Sequence, residues 1–171
     1  MSRATKRAGV AGSWVLVRKD QAESPAWRAA SDDVRRLLDR IQLEHMRHGG
    51  RENGNLAVTY DDFAKAGLRR RGDVSRAIRE AVALGFLEVT RQGGKSSGGF
   101  KFPSTYRLTY VFGKHPGATT PTDEWAAVET DAQAQERLAA AEAEAEARNR
   151  KRVAAKAMPK IGSDMVKVAV G

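Results

Sequence analysis

The 171-residue chain contains no cysteine. This excludes disulfide bonds, thiolate nucleophiles and any zinc site that uses cysteine ligands. Long apolar runs are also lacking. The longest near the start covers residues 14–17, too short for a membrane span or for the apolar region of a secretion signal. We therefore expect a soluble, cytoplasmic protein that makes no use of the membrane.

The sequence also lacks the motifs of known catalytic chemistry. It has no G-x-S-x-G, no phosphate-binding loop of the Walker type, no dinucleotide fingerprint and no carboxylate-rich metal cluster. His45 and His48 form an H-x-x-H pair predicted to project toward the apolar side of the first helix, but no third ligand is evident, so packed or hydrogen-bonded histidines are favoured over a metal site. We predict a protein that is not an enzyme and that binds neither metal nor cofactor.

Positive charge in the core of the chain is concentrated in one segment. The formal charge is +9, of which residues 1–30 carry +4 and residues 31–113 carry +5. Residues 69–101, with eight basic residues against three acidic ones, account for the whole excess of the core. Residues 114–171 are balanced, with nine of each sign. A basic excess confined to one segment is typical of proteins that bind a polyanion.

The first half of the chain contains one long amphipathic helix. Ser24 precedes a proline that can begin a short helix, and Ser31 can cap a longer one with acids in its first turn. Val34, Leu37, Leu38, Ile41 and His45 recur at helical spacing on one face, with Arg36, Arg40 and Arg47 opposite. Gly49 and Gly50 end the helix. Residues 1–23 before these helices are predicted to be a basic arm.

The pattern from residue 56 to residue 110 predicts a strand, two helices and a hairpin. A short apolar run at 56–59 leads to Thr59, which can cap a helix that Gly67 ends. Residues 73–84 show the clearest helical periodicity and stop at Gly85. Residues 86–91 and 106–110 alternate like paired strands around a loop, residues 92–103, that contains four glycines. Residues 24–113 therefore predict a helix-turn-helix followed by a β-hairpin wing.

The last third has a different composition. After a linker at 114–122, an Ala/Glu/Arg-rich helix is predicted over 123–157, followed by a flexible tail at 158–171. Trp125 is placed to pin this helix to the domain. The helix has few sizeable apolar residues and no heptad seam, so a coiled coil is not supported. The predicted fold class is mainly α with a small antiparallel hairpin (α+β).

Ten residues of the predicted recognition helix and wing are candidate DNA contacts. Arginine can form bidentate hydrogen bonds to phosphate or to guanine. Recognition helices contact base edges with residues of their first turns. Glycine in the wing allows the backbone to approach DNA closely. The candidates for base contacts are Arg70, Arg71, Asp73, Ser75, Arg76 and Arg79, and those for backbone contacts are Arg69, Arg91, Lys95 and Lys101. Arg3, Lys6 and Arg7 of the arm are further candidates for the minor groove.

The order of short motifs resembles winged helix-turn-helix modules of bacterial origin. The motifs are Ser24-Pro25-Ala26-Trp27, Asn53-Gly54, Gly85-Phe86-Leu87 and Tyr106-Arg107-Leu108-Thr109. The order is similar to that in the N-terminal domain of plasmid and phage replication initiators, and to that in a group of uncharacterised bacterial proteins. The resemblance covers about half of the chain. It implies a recognition helix at 73–84 and a wing tip at 92–103, and it leaves regulation and replication equally open.

We therefore expect a protein that binds double-stranded DNA, as a transcriptional regulator or a replication-initiator-like protein. The alternative is a winged-helix adaptor whose C-terminal helix docks a partner protein. RNA binding is a third hypothesis. Homodimerisation through the C-terminal helix is also open.

Overall fold

The computed structural model describes residues 17–113 and 120–157 as an α+β fold with a small antiparallel sheet and a long C-terminal helix. The helices are α1 (Lys19–Ala22), α2 (Pro25–Ala29), α3 (Asp32–Arg47), α4 (Tyr60–Lys65), α5 (Arg71–Ala83) and α6 (Asp131–Ala157), with a 3₁₀ turn at Glu124–Ala127. The strands are β1 (Leu56–Ala57), β2 (Leu87–Arg91), β3 (Gly94–Lys95), β4 (Lys101–Phe102) and β5 (Thr105–Leu108).

Side-chain caps begin the helices where the sequence predicts them. The Oγ atoms of Ser24 and Ser31 accept hydrogen bonds from backbone amides of the first turns of α2 and α3. Thr59 and Asp62 form a reciprocal capping box at the start of α4. Each cap satisfies a backbone donor that has no partner within its helix. These three helix starts are confirmed.

A tight turn joins α4 to α5. Gly67 has a φ of +102°, a conformation that other residues adopt only with strain, and Leu68 is buried below it. The periodicity predicts the next helix over residues 73–84, whereas α5 covers Arg71–Ala83. The helix thus begins two residues earlier, inside the arginine run, so Arg71 belongs to its first turn.

The sheet has the strand order β1-β5-β2, with all pairs antiparallel. Leu87 lies opposite Leu108, and the register shifts between Val89 and Arg91. Beyond this irregularity the predicted loop at 92–103 is itself paired, since β3 and β4 form a second two-stranded ladder. We call residues 87–108 the basic hairpin. Its outer half is ordered by backbone hydrogen bonds rather than being an open loop.

Aromatic side chains join the helices to the sheet in the core. Phe86 is fully buried, and its ring makes edge contacts with Trp27 and Tyr110. The ring of Trp125 stacks on Phe86 with centroids 6.5 Å apart. Tyr106 is also buried, in edge contact with Phe63. These six rings therefore pack in or against the core, whereas Phe100, Phe102 and Phe112 are exposed.

Arg40 departs from its predicted position on the exposed face of α3. Its side chain is only 8% exposed, and its guanidinium lies 2.9 Å from Glu44 and 3.4 Å from Asp62. The long side chain reaches across to the start of α4, where two carboxylates compensate the cost of burying its charge. The prediction that all three arginines lie opposite the core was wrong for Arg40.

The C-terminal helix begins later than the predicted residue 123. Asp123 adopts a left-handed backbone conformation, with φ at +50°, and the following 3₁₀ turn places Trp125 in the core. Helix α6 starts at Asp131 and packs through Ala134 and Leu138. Trp125 thus fixes the segment before the helix.

The predicted basic arm contains a helical turn at its end. Helix α1 lies within residues 1–23, and its Gln21 is buried. Arg18 pairs with Asp123 at 2.7 Å, so residues 18–23 belong to the folded part. Arg3, Lys6, Arg7 and Trp14 lie outside the described residues, as do residues 114–119 of the linker and the tail.

Candidate nucleic-acid interface

Three consecutive arginines occupy the entrance to α5. Arg70 is the N-cap residue, and its carbonyl accepts from the amide of Val74 at 3.2 Å. Arg69, Arg70 and Arg71 are exposed, and none forms an ion pair with a described residue. Because the first amides of a helix carry partial positive charge, the arginines reinforce the field at this end. The arrangement favours an anion at the start of α5.

A chain of contacts joins Arg71 to α4 and to the next turn of α5. The guanidinium of Arg71 lies 5.2 Å from the centre of the Tyr60 ring. The hydroxyl of Tyr60 is 3.0 Å from the Oγ of Ser75. Tyr60 was not among the predicted site residues, although its position at the first residue of α4 places it beside α5. This contact orients the side chains of two predicted residues.

Arg76 and Asp73 are engaged within the domain. Arg76 Nη2 donates to Asp33 at 2.9 Å and lies 3.6 Å from a carboxylate oxygen of Asp73, and its Nε lies 3.6 Å from Glu80. The hydrogen bond to Asp33, followed by the other carboxylates, raises the pKa of Arg76. Three acids therefore surround this guanidinium. The structure uses Arg76 to join α5 to α3, which differs from the base-contact position predicted for it.

Arg79 is also paired, but with the C-terminal helix. Its Nη2 donates to Oε2 of Glu142 at 2.7 Å. Helices α5 and α6 border a cleft of about 760 Å³ at this point. Residues of α4, α5 and the basic hairpin line one side: Tyr60, Gly72, Ser75, Ile78, Arg79 and Gln92. Residues of α6 line the other: Glu142, Ala145, Glu146, Arg148, Asn149 and Arg152.

The basic hairpin presents three exposed cations. Arg91 lies at the end of β2, Lys95 in β3 and Lys101 in β4, and none pairs with an acid among the described residues. The guanidinium of Arg91 lies 5.4 Å from the centre of the Phe102 ring. That ring covers Gly94, where an added Cβ would lie 3.2 Å from the ring. Glycine at this position therefore lets the aromatic ring pack flat against the hairpin.

Charge is segregated along α6. Residues 131–146 contain five acids and one arginine, whereas residues 147–157 contain five basic residues and no acid. The balanced total of the C-terminal segment conceals this division. Arg148 and Arg152 bring the basic part to the cleft. Counting charge in short windows along the predicted helix would have identified these two residues as candidates.

The two histidines have structural surroundings that differ from each other. His45 is buried, which lowers its pKa because burial penalises the charged imidazole. His48 is half-exposed, with Nε2 3.2 Å from Oε1 of Glu44. The prediction that His48 projects toward the apolar side of the helix was therefore wrong. Within residues 17–113 and 120–157, no three His, Cys, Asp or Glu side chains are grouped as metal ligands would be.

The helices of the described residues are either too short or too polar to cross a membrane. Comparisons of the chain with protein-family models, with curated proteins and with solved structures give no match. Inference about function therefore depends on the geometry and electrostatics of the chain itself.

Proposed function

We propose that the chain is a non-catalytic protein that binds double-stranded DNA through a winged helix. In this proposal α5 is the recognition helix and the basic hairpin is the wing. The observation that carries it is a set of six exposed, unneutralised cations at the entrance to α5 and on the basic hairpin. The six are Arg69, Arg70, Arg71, Arg91, Lys95 and Lys101, none paired with a described acid.

The contrast with other arginines strengthens this argument. Arg40 and Arg107 each contact two carboxylates, and Arg28 pairs with Asp131 at 2.8 Å. Acids neutralise these cations, whereas the six clustered at the start of α5 and on the basic hairpin have no acidic partner among the described residues. Clustered cations of the same sign repel one another. Binding of DNA phosphates offsets this repulsion, and the release of counterions from the DNA favours the complex.

The order of elements is also that of a winged helix. Helix α3, strand β1 and helices α4 and α5 precede the hairpin strands β2 and β5, which pair in one antiparallel sheet with β1, and the turn between α4 and α5 is tight. In this class of fold the second helix of the pair enters the major groove, and the hairpin contacts backbone or minor groove. The likeness is one of fold, so the charged surface carries the functional proposal.

The individual contacts can be assigned more narrowly than the sequence allowed. Arg70, Arg71 and Ser75 lie in the first turns of α5 and are suited to base edges. Arg69 and the three hairpin cations are suited to phosphates. Arg76 and Asp73 hold α5 against α3. Arg79 can join the DNA contacts only after it leaves Glu142.

The C-terminal helix supports a second candidate function, that of a protein-interaction adaptor. Residues 148–156 of α6 are exposed, and Val153 is a large apolar residue among them. A partner protein or a second copy could pack along this end. Under this alternative, binding to DNA would show no strong dependence on salt, and removing residues 148–171 would abolish partner binding.

Fluorescence anisotropy with a mixed-sequence duplex of about 30 base pairs tests the main proposal. Six neutralised phosphates predict that log K falls with log salt with a slope of about −5. The double variant Arg70→Glu/Lys95→Glu should bind on the order of a hundredfold more weakly, with a slope smaller by about two. Lys19→Glu/Arg47→Glu makes the same charge change outside α5 and the hairpin, and should retain binding.

Two further probes separate the alternatives. The corresponding single strand and an RNA duplex of the same sequence should bind more weakly than the DNA duplex. Preference for either would replace the duplex-DNA proposal with single-strand or RNA binding. If low salt reveals no affinity for any of the three, the nucleic-acid proposal is wrong and the adaptor function is the better one.

A further inference from the structure

The tip of the basic hairpin carries an exposed phenylalanine. Phe100 is 80% exposed, the highest value among the large apolar side chains of the described residues. Lys101 follows it directly, and Lys95 lies at the same end of the hairpin, opposite Lys101 in the ladder. An apolar ring exposed to water among cations contributes little to the stability of the folded domain.

The backbone holds this ring in place. The amide of Ser96 donates to the carbonyl of Phe100 at 2.8 Å, and the amide of Gly99 donates to Ser96 at 2.9 Å. These bonds close the tip next to the β3–β4 ladder, with Gly99 at a φ of +81°. A ring presented on a fixed turn loses less conformational entropy on binding than one on a flexible loop.

Phe102 shows what a structural aromatic residue does in the same hairpin. Its ring lies beneath the guanidinium of Arg91 and against Gly94. Among the described residues, no other ring and no guanidinium stacks on Phe100. The Phe100 ring lies beside Gly98, where an added Cβ would be 3.4 Å from it, but it stays 80% exposed whereas Phe102 is 37% exposed. Most of the Phe100 ring is therefore available for an intermolecular contact.

We propose that Phe100 is a wedge that inserts between adjacent base pairs of duplex DNA from the minor groove. This inference rests on the proposed DNA-binding function. Lys95 and Lys101 are placed to neutralise the flanking phosphates, while the ring enters the apolar stack between them. Minor-groove proteins use phenylalanine in this way, and pyrimidine–purine steps are the easiest to unstack.

The charge around the ring selects this occupant over an apolar protein surface. A protein groove that buried Phe100 would also have to remove Lys95 and Lys101 from water without neutralising them, which is costly. An opened base-pair step provides an apolar space between the stacked bases, with backbone phosphates on both sides. Duplex DNA can therefore bury the Phe100 ring and neutralise Lys95 and Lys101 at the same time.

The test uses the full chain and a duplex with 2-aminopurine placed at several TA steps. Unstacking raises the fluorescence of this base, and anisotropy of an end label reports binding in the same samples. Wild type at saturation should raise the 2-aminopurine signal. Phe100→Ala should lose that rise while binding roughly five- to tenfold more weakly with an unchanged salt slope.

Phe112→Ala is the matched control, because it removes another phenylalanine that is 71% exposed but lies outside the hairpin. This variant should keep both affinity and the fluorescence rise. Phe100→Leu, which keeps an apolar wedge, should retain most of the rise. Near-identical circular dichroism of the variants would establish that they remain folded.

The outcomes separate the wedge from the underlying function. Salt-sensitive duplex binding without a fluorescence rise, or a full rise with Phe100→Ala, overturns the wedge and leaves DNA binding intact. A preference for single strands that depends on Phe100 replaces the wedge with stacking on unpaired bases. Absence of salt-sensitive binding to either form overturns both proposals.

Discussion

Arg79 donates from Nη2 to Oε2 of Glu142 at 2.7 Å, and this contact joins α5 to α6 across their shared cleft. Ser75 lies on the same side of that cleft. Glu142 therefore forms an ion pair with Arg79 on the face proposed for DNA. The Nε–H of Arg79 is buried and remains without an acceptor among the described residues. Under the proposed function, the C-terminal helix competes with DNA for Arg79.

Glu142→Gln should increase affinity for duplex DNA. The change removes the ion pair and one negative charge beside the proposed recognition helix. Because the carboxylate is half-exposed, the pair is worth little, and we expect a gain of about two- to fivefold. Anisotropy titrations at constant salt measure it.

Glu136→Gln is the control for this charge change, since Glu136 is exposed on α6 and pairs with no described cation. Its affinity should stay closer to wild type than that of Glu142→Gln. Equal gains in the two variants would show that net charge, rather than release of Arg79, is responsible.

Arg70→Gln should weaken DNA binding without affecting stability, whereas Arg76→Gln should lower stability. Arg70 makes no ion pair with a described residue, so its loss should reduce the salt slope by about one and leave thermal stability unchanged. Arg76 lies among Asp33, Asp73 and Glu80, so its loss should lower stability by about 0.5–1 kcal/mol. Parallel salt titrations and thermal melts check both. A large loss of binding with Arg76→Gln alone would contradict its assignment to the α3–α5 contact.

The different fates of these arginines mark what sequence could predict. The caps at Ser31 and Thr59 involve residues three apart, so local pattern was sufficient to place them. Arg76 and Arg79 find their partners 43 and 63 residues away along the chain. Periodicity assigns a residue to one side of a helix, but it does not tell which distant acid will lie there.

The aromatic core shows the same division. Alternation correctly predicts that Tyr106 and Tyr110 are buried. It gives no indication that Trp125 would stack on Phe86 from a 3₁₀ turn ahead of α6. The start of α6 at Asp131 also has a local cause, because the Oγ1 of Thr130 accepts from the amide of Gln133 and caps the helix.

Asn53→Ala should destabilise the fold. The buried Asn53 side chain donates to the carbonyls of Leu108 and Val111 and accepts from the amide of Leu108. Truncation leaves these buried backbone groups without partners, so we expect a loss of about 2–4 kcal/mol in the free energy of unfolding. Urea unfolding measures the loss. Asn55→Ala, at an exposed position two residues on, should change stability by less than about 0.5 kcal/mol.

Burial of His45 should make stability depend on pH near neutrality. Burial lowers the pKa of His45 in the folded state below its ordinary value of 6.5. As pH falls, the unfolded chain takes up the proton first, so stability is full above about pH 7.5 and declines as the pH falls through 6.5 and below. Urea unfolding across this range should show the decline in wild type and in His48→Gln. His45→Leu should have a flatter profile, and an unchanged profile would exclude His45 as its source.

Gly85→Ala should loosen the segment that anchors α6. Gly85 has a φ of +81°, and an added Cβ would lie 2.6 Å from backbone atoms of Glu124 and Trp125. The substitution thus combines conformational strain with a backbone clash that no rotamer change can relieve. We expect a stability loss of about 2–4 kcal/mol in urea unfolding.

Gly99→Ala isolates the strain, because Gly99 has the same φ of +81° but nothing within 4 Å of an added Cβ. Its cost should be about 1 kcal/mol, and the difference between the two variants measures the contact with the 3₁₀ turn. If that turn also holds α6 in position, Gly85→Ala should weaken the pairing of Arg79 with Glu142. Its affinity for DNA should then rise together with its loss of stability. Equal stability losses in the two variants would show instead that the 3₁₀ turn shifts to accommodate the added Cβ. In that case the affinity of Gly85→Ala for DNA should equal that of the wild type.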